Sequence, residues 1–222
     1  LVKNRQAYIS RIHASYDRVL GNNQVTLLKG YAKFVNNTTV EVDGEQYTAP
    51  HILIATGGKP FRPDIPGAEF GIDSDGFFEL DEQPRRVAVV GGGYIGVELA
   101  GVLHALGSET HSILRQELPL RGFDAMLQET LKTLMLEEGI DIHEKTEINQ
   151  VTKLDNGDLE LALTDGNTLT VDCLIWATGR KPNTATIGLD NTDVEMRQNG
   201  QIVVDKFQNT NVEGIYAVGD IT

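Results

Sequence analysis

A short apolar run, a glycine turn and an amphipathic run constrain this chain more than anything else in it. Arg86 to Val90 reads Arg-Val-Ala-Val-Val, a buried strand. Gly91-Gly92-Gly93-Tyr94-Ile95-Gly96 follows, then an amphipathic run from Val97 to Leu106 that stops at Gly107. A second apolar run, Thr110 to Leu114, ends at Arg115. Strand, glycine turn, helix, strand is the opening of a dinucleotide-binding unit. Gly91 permits the tight turn off the strand. Gly93 lacks a Cβ, so backbone can approach a pyrophosphate. Gly96 lets the helix pack close to the strand, and the helix N-terminus offers N–H groups and partial positive charge to the phosphates.

The end of the second strand selects the nucleotide. An NAD-binding unit places Asp or Glu there to accept from the ribose 2′-hydroxyl. This chain has Arg115, with Arg121 six residues on. An acid would repel a 2′-phosphate, whereas guanidinium groups bind one in bidentate fashion. The expected cofactor is therefore NADP(H). Glu117 lies between the two arginines and must point away or pair with a cation.

The remaining composition sets bounds. At 222 residues the chain has room for one large or two small domains. A net charge of −13 argues against nucleic acid or an anionic membrane as partner. No apolar stretch approaches a transmembrane length, no signal-peptide pattern opens the chain, and a single cysteine fits a cytoplasmic setting. Leu1 is not Met, so the chain is expected to begin inside a longer one.

Apolar residues from Val2 to Leu20 recur at helical spacing, with Gly21 as a stop. Val25–Val35 and Thr38–Val42 read as strands, Asp43-Gly44 as a hairpin turn, and His51–Ala55 as an apolar strand. Five Pro and Gly residues crowd Lys59–Asp75, which reads as a linker. Asp73-Ser74-Asp75-Gly76 lacks the later acids of a calcium loop. Asp124 caps a helix that runs to Glu138 and stops at Gly139. Ile140–Glu144 is a strand, and Gln150–Leu154, Leu159–Thr164 and Thr168–Trp176 form a meander. Ile202–Asp205 and Gly214–Asp220 add two more strands. Asp220 stands at a strand's carboxyl end, where an acid can accept from sugar hydroxyls or cap a following helix.

The two halves match. Ile52-Leu53-Ile54-Ala55-Thr56-Gly57-Gly58 repeats in Leu174-Ile175-Trp176-Ala177-Thr178-Gly179-Arg180. Each follows a meander with an Asp-Gly turn, which suggests two dinucleotide domains of one design. The expected fold is α/β: a Rossmann-like three-layer dinucleotide-binding domain, parallel sheet plus β-meander, with a partial second domain of similar design. The expected boundaries are 1–82 for a partial FAD-binding domain, 83–198 for an NADP-binding domain and 199–222 for a return segment of the first.

Several stretches carry a family resemblance: His51–Gly58, Ile72–Phe78, Gly93–Ala100, Arg115 with Leu120–Asp124, and Phe207–Asp220. Through them the chain resembles the flavoprotein disulfide reductases, most closely the branch that reduces glutathione disulfide with NADPH through FAD and a redox dithiol. The resemblance implies that Gly91, Gly92, Gly93, Ile95 and Gly96 take the pyrophosphate turn and that Arg115 and Arg121 take the 2′-phosphate. It implies that Tyr94 is the aromatic gate over the flavin, that Glu98 orients the nicotinamide carboxamide and that Gly179 lies beside NADP. It also places Ala32, Thr56, Gly57 and Asp220 on the FAD side.

Other parts of that family's pattern are not in this sequence: the first GxGxxG, the redox cysteine pair, and the C-terminal domain with its dimer interface and catalytic His–Glu pair. No catalytic residue is therefore expected in this chain. Cys173 lies in an apolar strand and reads as a small buried thiol. The five histidines are scattered, and no metal spacing is present. By resemblance the intact protein is a homodimeric glutathione-disulfide reductase, whereas this segment alone would be a monomer that docks NADPH without turnover. The alternatives are a trypanothione, thioredoxin or mercuric type of NADPH-dependent reductase, or a non-catalytic NADPH-binding module. Arg115 disfavours the NADH-using lipoamide dehydrogenases.

Overall fold

The structure is a computed structural model that describes residues 2–222. In chain order its elements are Val2–Asn22 (α1), Ala32–Asn36 (β1), Thr39–Val42 (β2), Glu45–Thr48 (β3), Ile52–Ile54 (β4), Gly58–Pro60 (β5), Ile72–Asp73 (β6) and Ser74–Glu79 (α2). Arg86–Val90 (β7), Tyr94–Ala105 (α3), Glu109–Leu114 (β8), Ala125–Glu138 (α4) and Asp141–Glu144 (β9) follow. The last are Ile148–Lys153 (β10), Leu159–Leu163 (β11), Thr168–Val171 (β12), Cys173–Trp176 (β13), Arg180–Pro182 (β14) and Ile215–Ala217 (β15). They fall into two compact units, one made of the chain up to Lys59 and from Lys181 on, the other of Pro60–Arg180.

The Pro60–Arg180 unit has three layers. Its middle is a parallel sheet in the order β6-β13-β7-β8-β9. The strand Arg-Val-Ala-Val-Val shows how one run serves two faces, because successive side chains point oppositely. Val87 and Val89 pack with Leu99, Ala100 and Leu103 of α3. Ala88, Val90 and Trp176 of the sheet pack against the antiparallel meander β10-β11-β12 through Val151 and Leu161. Leu159, Leu161 and Leu163 alternate inward along β11. A bulge between Ile148 and Gln150 resets β10 so that Ile148 and Val151 both face the core. Asp124 caps α4 by accepting from the Met126 N–H, and Gly139 ends it in the left-handed conformation at φ 100°.

The other unit carries the antiparallel meander β1-β2-β3 and the parallel pair β4-β15. Asp43 and Gly44 both adopt positive φ, as a two-residue hairpin turn requires. Its core joins Phe34, Ile54, Ile187, Ile202, Ile215 and Ile221.

Several expectations need correction. The three-layer α/β fold is present, but both borders of its central unit differ from 82/83 and 198/199. Lys59–Asp75 is no linker, and residues 60–82 belong to the central unit, because Ile72 and Asp73 pair with Ile175 and Trp176 as the sheet's edge strand, and Ala68 is buried in its core. Residues 181–198 join the other unit, because the Phe34 N–H donates to the Ile187 carbonyl and Ile187, Leu189 and Val194 fill that core. The Asp73-Ser74-Asp75-Gly76 stretch is the start of α2, with Asp73 accepting from the N–H groups of Asp75 and Gly76. The strand expected from Val25 begins only at Ala32, and α1 passes through Gly21 to Asn22 without burying a residue. Asp172 divides Thr168–Trp176 into two strands, because its carboxylate accepts from the backbone of Arg85 and Arg86. The strand expected at 202–205 is a single bridge between Met196 and Ile202.

Cys173 is half-buried on β13 and paired in register with Val87. Burial, and secondarily the adjacent Asp172 carboxylate, pushes its thiol up to about 12. Only about one thiol in ten thousand is ionised at pH 8, so Cys173 should resist thiol reagents in the folded chain and react once it is denatured. A thiol-reagent titration at pH 8 before and after denaturant checks this. Rapid native labelling would contradict it.

Candidate nucleotide-binding site

The turn after β7 is built by backbone proximity. Gly91 has φ 123°, and a Cβ there would strike the carbonyl of Ala177. A Cβ on Gly96 would strike the Gly91 carbonyl, so helix α3 can rise this close to β7 only through a glycine. Gly93 differs from both. It is the N-cap of α3, its φ of −75° suits any residue, and a Cβ there would meet nothing within 4 Å. The protein gives no internal reason for a glycine at this position, which is what a surface kept clear for a ligand looks like.

The loop after β8 folds back over this turn. The Leu120 N–H donates to the Gly92 carbonyl at 2.6 Å, and Pro119 packs within 3.4 Å of where a Gly92 Cβ would stand. Leu120 is held in the left-handed region at φ 55°, an uncommon conformation for a non-glycine residue. The result is a cavity of about 400 Å³ at the carboxyl ends of β7, β8 and β13. Gly91, Gly92 and Gly93 line it together with Arg115 and Arg121, and Phe61, Trp176 and Gly179 belong to its wall.

The charges fit an anion. Arg115 and Arg121 are exposed, and among the described residues neither has a carboxylate within ion-pair distance. Glu117, the acid between them, pairs with Lys145 at 2.8 Å. The Lys145 hydrogen bond and charge hold the Glu117 carboxyl below its ordinary range. The acid that stood against the phosphate reading is thereby turned to another cation.

A second recess of about 190 Å³ opens beside Tyr94, Ile95, Gly179 and Arg180. Tyr94 is 58% exposed at the first turn of α3. Glu98 lies one turn further along the same helix face, exposed, and lines neither cavity. In the other unit, β4 and β15 run parallel with Ile54 opposite Ala217, so Thr56, Gly57 and Asp220 emerge at one sheet end. Thr56 Oγ1 donates to the Asn183 carbonyl, and the Asn183 side chain donates back to the Thr56 carbonyl. Ala32 sits apart from them, on the meander strand β1. Sequence reasoning missed Phe61 and Trp176 as cavity walls; the repeated strand ending at Trp176-Ala177-Thr178-Gly179 was the available signal. The expectation of scattered histidines is overturned, because His111, Asp141 and His143 come together on β8 and β9.

Comparison with known proteins shows the family. The family model described as pyridine nucleotide-disulphide oxidoreductase matches residues 2–222. The chain belongs to that family. A curated relative, glutathione reductase of Schizosaccharomyces pombe, is 45% identical over 99% of this chain and 49% of its own length. The chain thus spans about half of that relative. Among solved structures, the HOCl-induced flavoprotein disulfide reductase RclA from Escherichia coli superposes with a TM-score of 0.85 at 28% identity, over 99% of this chain and 54% of that one. A Cu(II) complex of a cysteine-to-serine mutant of the same enzyme gives 0.89 at 27% identity, over 100% and 52%. No helix among the described residues is long and apolar enough to cross a membrane.

Proposed function

We propose that the Pro60–Arg180 unit of this oxidoreductase segment docks NADPH for a glutathione-disulfide reductase. The single observation that carries the reading is the pair of arginines that, among the described residues, have no carboxylate partner, at the cavity of the glycine turn. Membership of the family brings FAD and NADP(H) as cofactors, and the glutathione-reductase relative supports glutathione disulfide as substrate and a homodimer as the working assembly of the intact protein. The bound cofactors supply transfer of reducing equivalents from NADPH through FAD to a disulfide.

The residues present fit the nucleotide. The open Cβ position of Gly93 and the N–H groups at the start of α3 suit a pyrophosphate. Arg115 and Arg121 suit a 2′-phosphate through charge-assisted, forked hydrogen bonds. Tyr94, which lines the smaller recess and has an exposed side chain, would cover a planar ring and move aside by rotating. Glu98, on the same helix face, would orient a carboxamide that reached past Tyr94. Thr56, Gly57 and Asp220 would take the FAD side, with Asp220 accepting from hydroxyls of its sugar-like chain, and Ala32 near the adenine. The borders 59/60 and 180/181 replace those expected for the NADP-binding domain, with the flanking unit as the partial FAD-binding domain.

This reading assigns docking to the chain and the chemistry to parts beyond it. Cys173 is its only cysteine and is protonated at neutral pH, so the chain holds no redox dithiol. Calorimetry paired with an NADPH-oxidation assay tests the reading: NADPH should bind, and glutathione disulfide should cause no NADPH oxidation by this chain alone. Glutathione-dependent turnover by the isolated chain would overturn the assignment, as would failure of the folded chain to bind NADPH. A monomer and a cytoplasmic setting complete the proposal for the segment.

A further inference from the structure

We infer that His111, Asp141 and His143 form a binding site for a zinc-type divalent cation, separate from the nucleotide cavity. The site arises from register. β8 and β9 are parallel neighbours with His111 opposite Asp141, and His143 lies two residues on, so all three share the face turned to the meander. Nδ1 of His111 lies 3.2 Å from Asp141 Oδ2 and 3.2 Å from His143 Nε2, and the last two atoms are 3.4 Å apart.

These three contacts cannot all be hydrogen bonds. A carboxylate oxygen only accepts, each ring nitrogen presents either a proton or a lone pair, and an attractive contact needs a donor and an acceptor. With the carboxylate as one corner, every distribution of protons over the two rings leaves at least one edge with like facing like. A cation at the centre makes all three contacts favourable at once, with two imidazole lone pairs and a carboxylate oxygen pointing at it. The size also fits. Zn–N and Zn–O bonds of about 2.0–2.2 Å in a tetrahedron put ligand atoms roughly 3.3–3.6 Å apart. The observed triangle is close to one face of that tetrahedron.

The surroundings support ligation. The other ring nitrogen of His111, Nε2, lies 3.3 Å from Glu109 Oε1. A proton held there leaves Nδ1 with its lone pair toward the triangle, the carboxylate–histidine–metal arrangement that fixes tautomer and ring in metal sites. Glu144, the next residue along β9, is engaged by Lys132 at 2.8 Å. The His111 side chain is 9% exposed and that of His143 21%, whereas that of Asp141 is 62% exposed. Two recessed imidazoles and one solvent-facing carboxylate leave a fourth position for water. Two imidazoles with one carboxylate favour zinc, cobalt, nickel or copper over calcium or magnesium. None of the three residues lines the nucleotide cavity.

The test is titration of the folded 222-residue chain with Co(II), then Zn(II), followed by visible absorbance and thermal melting. One Co(II) per chain should give the intense visible bands of tetrahedral coordination, Zn(II) should bleach them, and either ion should raise the melting temperature. His143→Ala and Asp141→Asn should abolish both effects while keeping the metal-free melting temperature and NADPH affinity. Glu109→Gln should weaken binding about 10-fold or more. Absence of Co(II) bands in the folded chain would overturn the proposal. Equal metal affinity in wild type and both ligand variants would overturn it too, by placing the ion elsewhere.

Discussion

Replacing Arg115 and Arg121 together with alanine should weaken NADPH binding by about 30- to 1,000-fold and leave NADH binding within a few-fold. The range corresponds to roughly 2–4 kcal/mol for two charge-assisted contacts to one phosphate. It is large because neither guanidinium has a carboxylate partner among the described residues, and Glu117 is engaged by Lys145. Both arginines are exposed, so alanine leaves no buried group unsatisfied and the fold should hold. The variant should melt with the parent, separating a binding loss from unfolding. Calorimetric titration of both nucleotides into both proteins checks the result. An equal loss for NADPH and NADH would show that the arginines serve the general architecture of the cavity and not the 2′-phosphate.

Trp176→Ala should cost about 3–5 kcal/mol of stability, the largest effect expected for one side chain in the Pro60–Arg180 unit. Trp176 is 2% exposed and packs in the core between the parallel sheet and the meander. Its Nε1 donates to the Ala68 carbonyl at 2.8 Å, which ties the 60–82 segment to the sheet. Truncation therefore opens a large void and removes one buried hydrogen bond, while the Ala68 carbonyl keeps the Gly71 N–H as a donor. Trp176→Phe keeps most of the volume and loses the hydrogen bond, so it should cost less. Denaturant unfolding followed by circular dichroism measures both, since the only tryptophan is the residue removed. A loss below about 1 kcal/mol for the alanine variant would contradict the packing described.

The glycine turn and its arginines were legible in the sequence because their causes are local. Gly91 and Gly96 are forced by backbone contacts inside one strand–turn–helix, and a strand followed by Arg115 falls within the same 30-residue stretch. Helix α4 was legible for the same reason, with Asp124 and Gly139 marking its ends. What could not be read was set by pairing across the chain. Ile72 and Asp73 become a strand only because Ile175 and Trp176, a hundred residues later, lie alongside. Two residues among prolines and glycines carry no periodicity to reveal that. Glu117 finds Lys145 through the β8–β9 neighbourhood, and the same neighbourhood brings His111 to Asp141 and His143. The Asp-x-His alternation on β9 was visible, but its alignment with His111 depends on the intervening helix and its parallel return. Residues 181–198 were misassigned because the Phe34–Ile187 hydrogen bond that claims them spans most of the chain.

The account stands most directly on nucleotide preference. We would titrate the unmodified chain with NADPH and with NADH by calorimetry at low ionic strength, where phosphate contacts are least screened. A cavity with Arg115 and Arg121 free to meet a 2′-phosphate predicts NADPH tighter by about 30-fold or more, with the preference shrinking as salt rises. Equal affinity for the two nucleotides in the folded chain would contradict it.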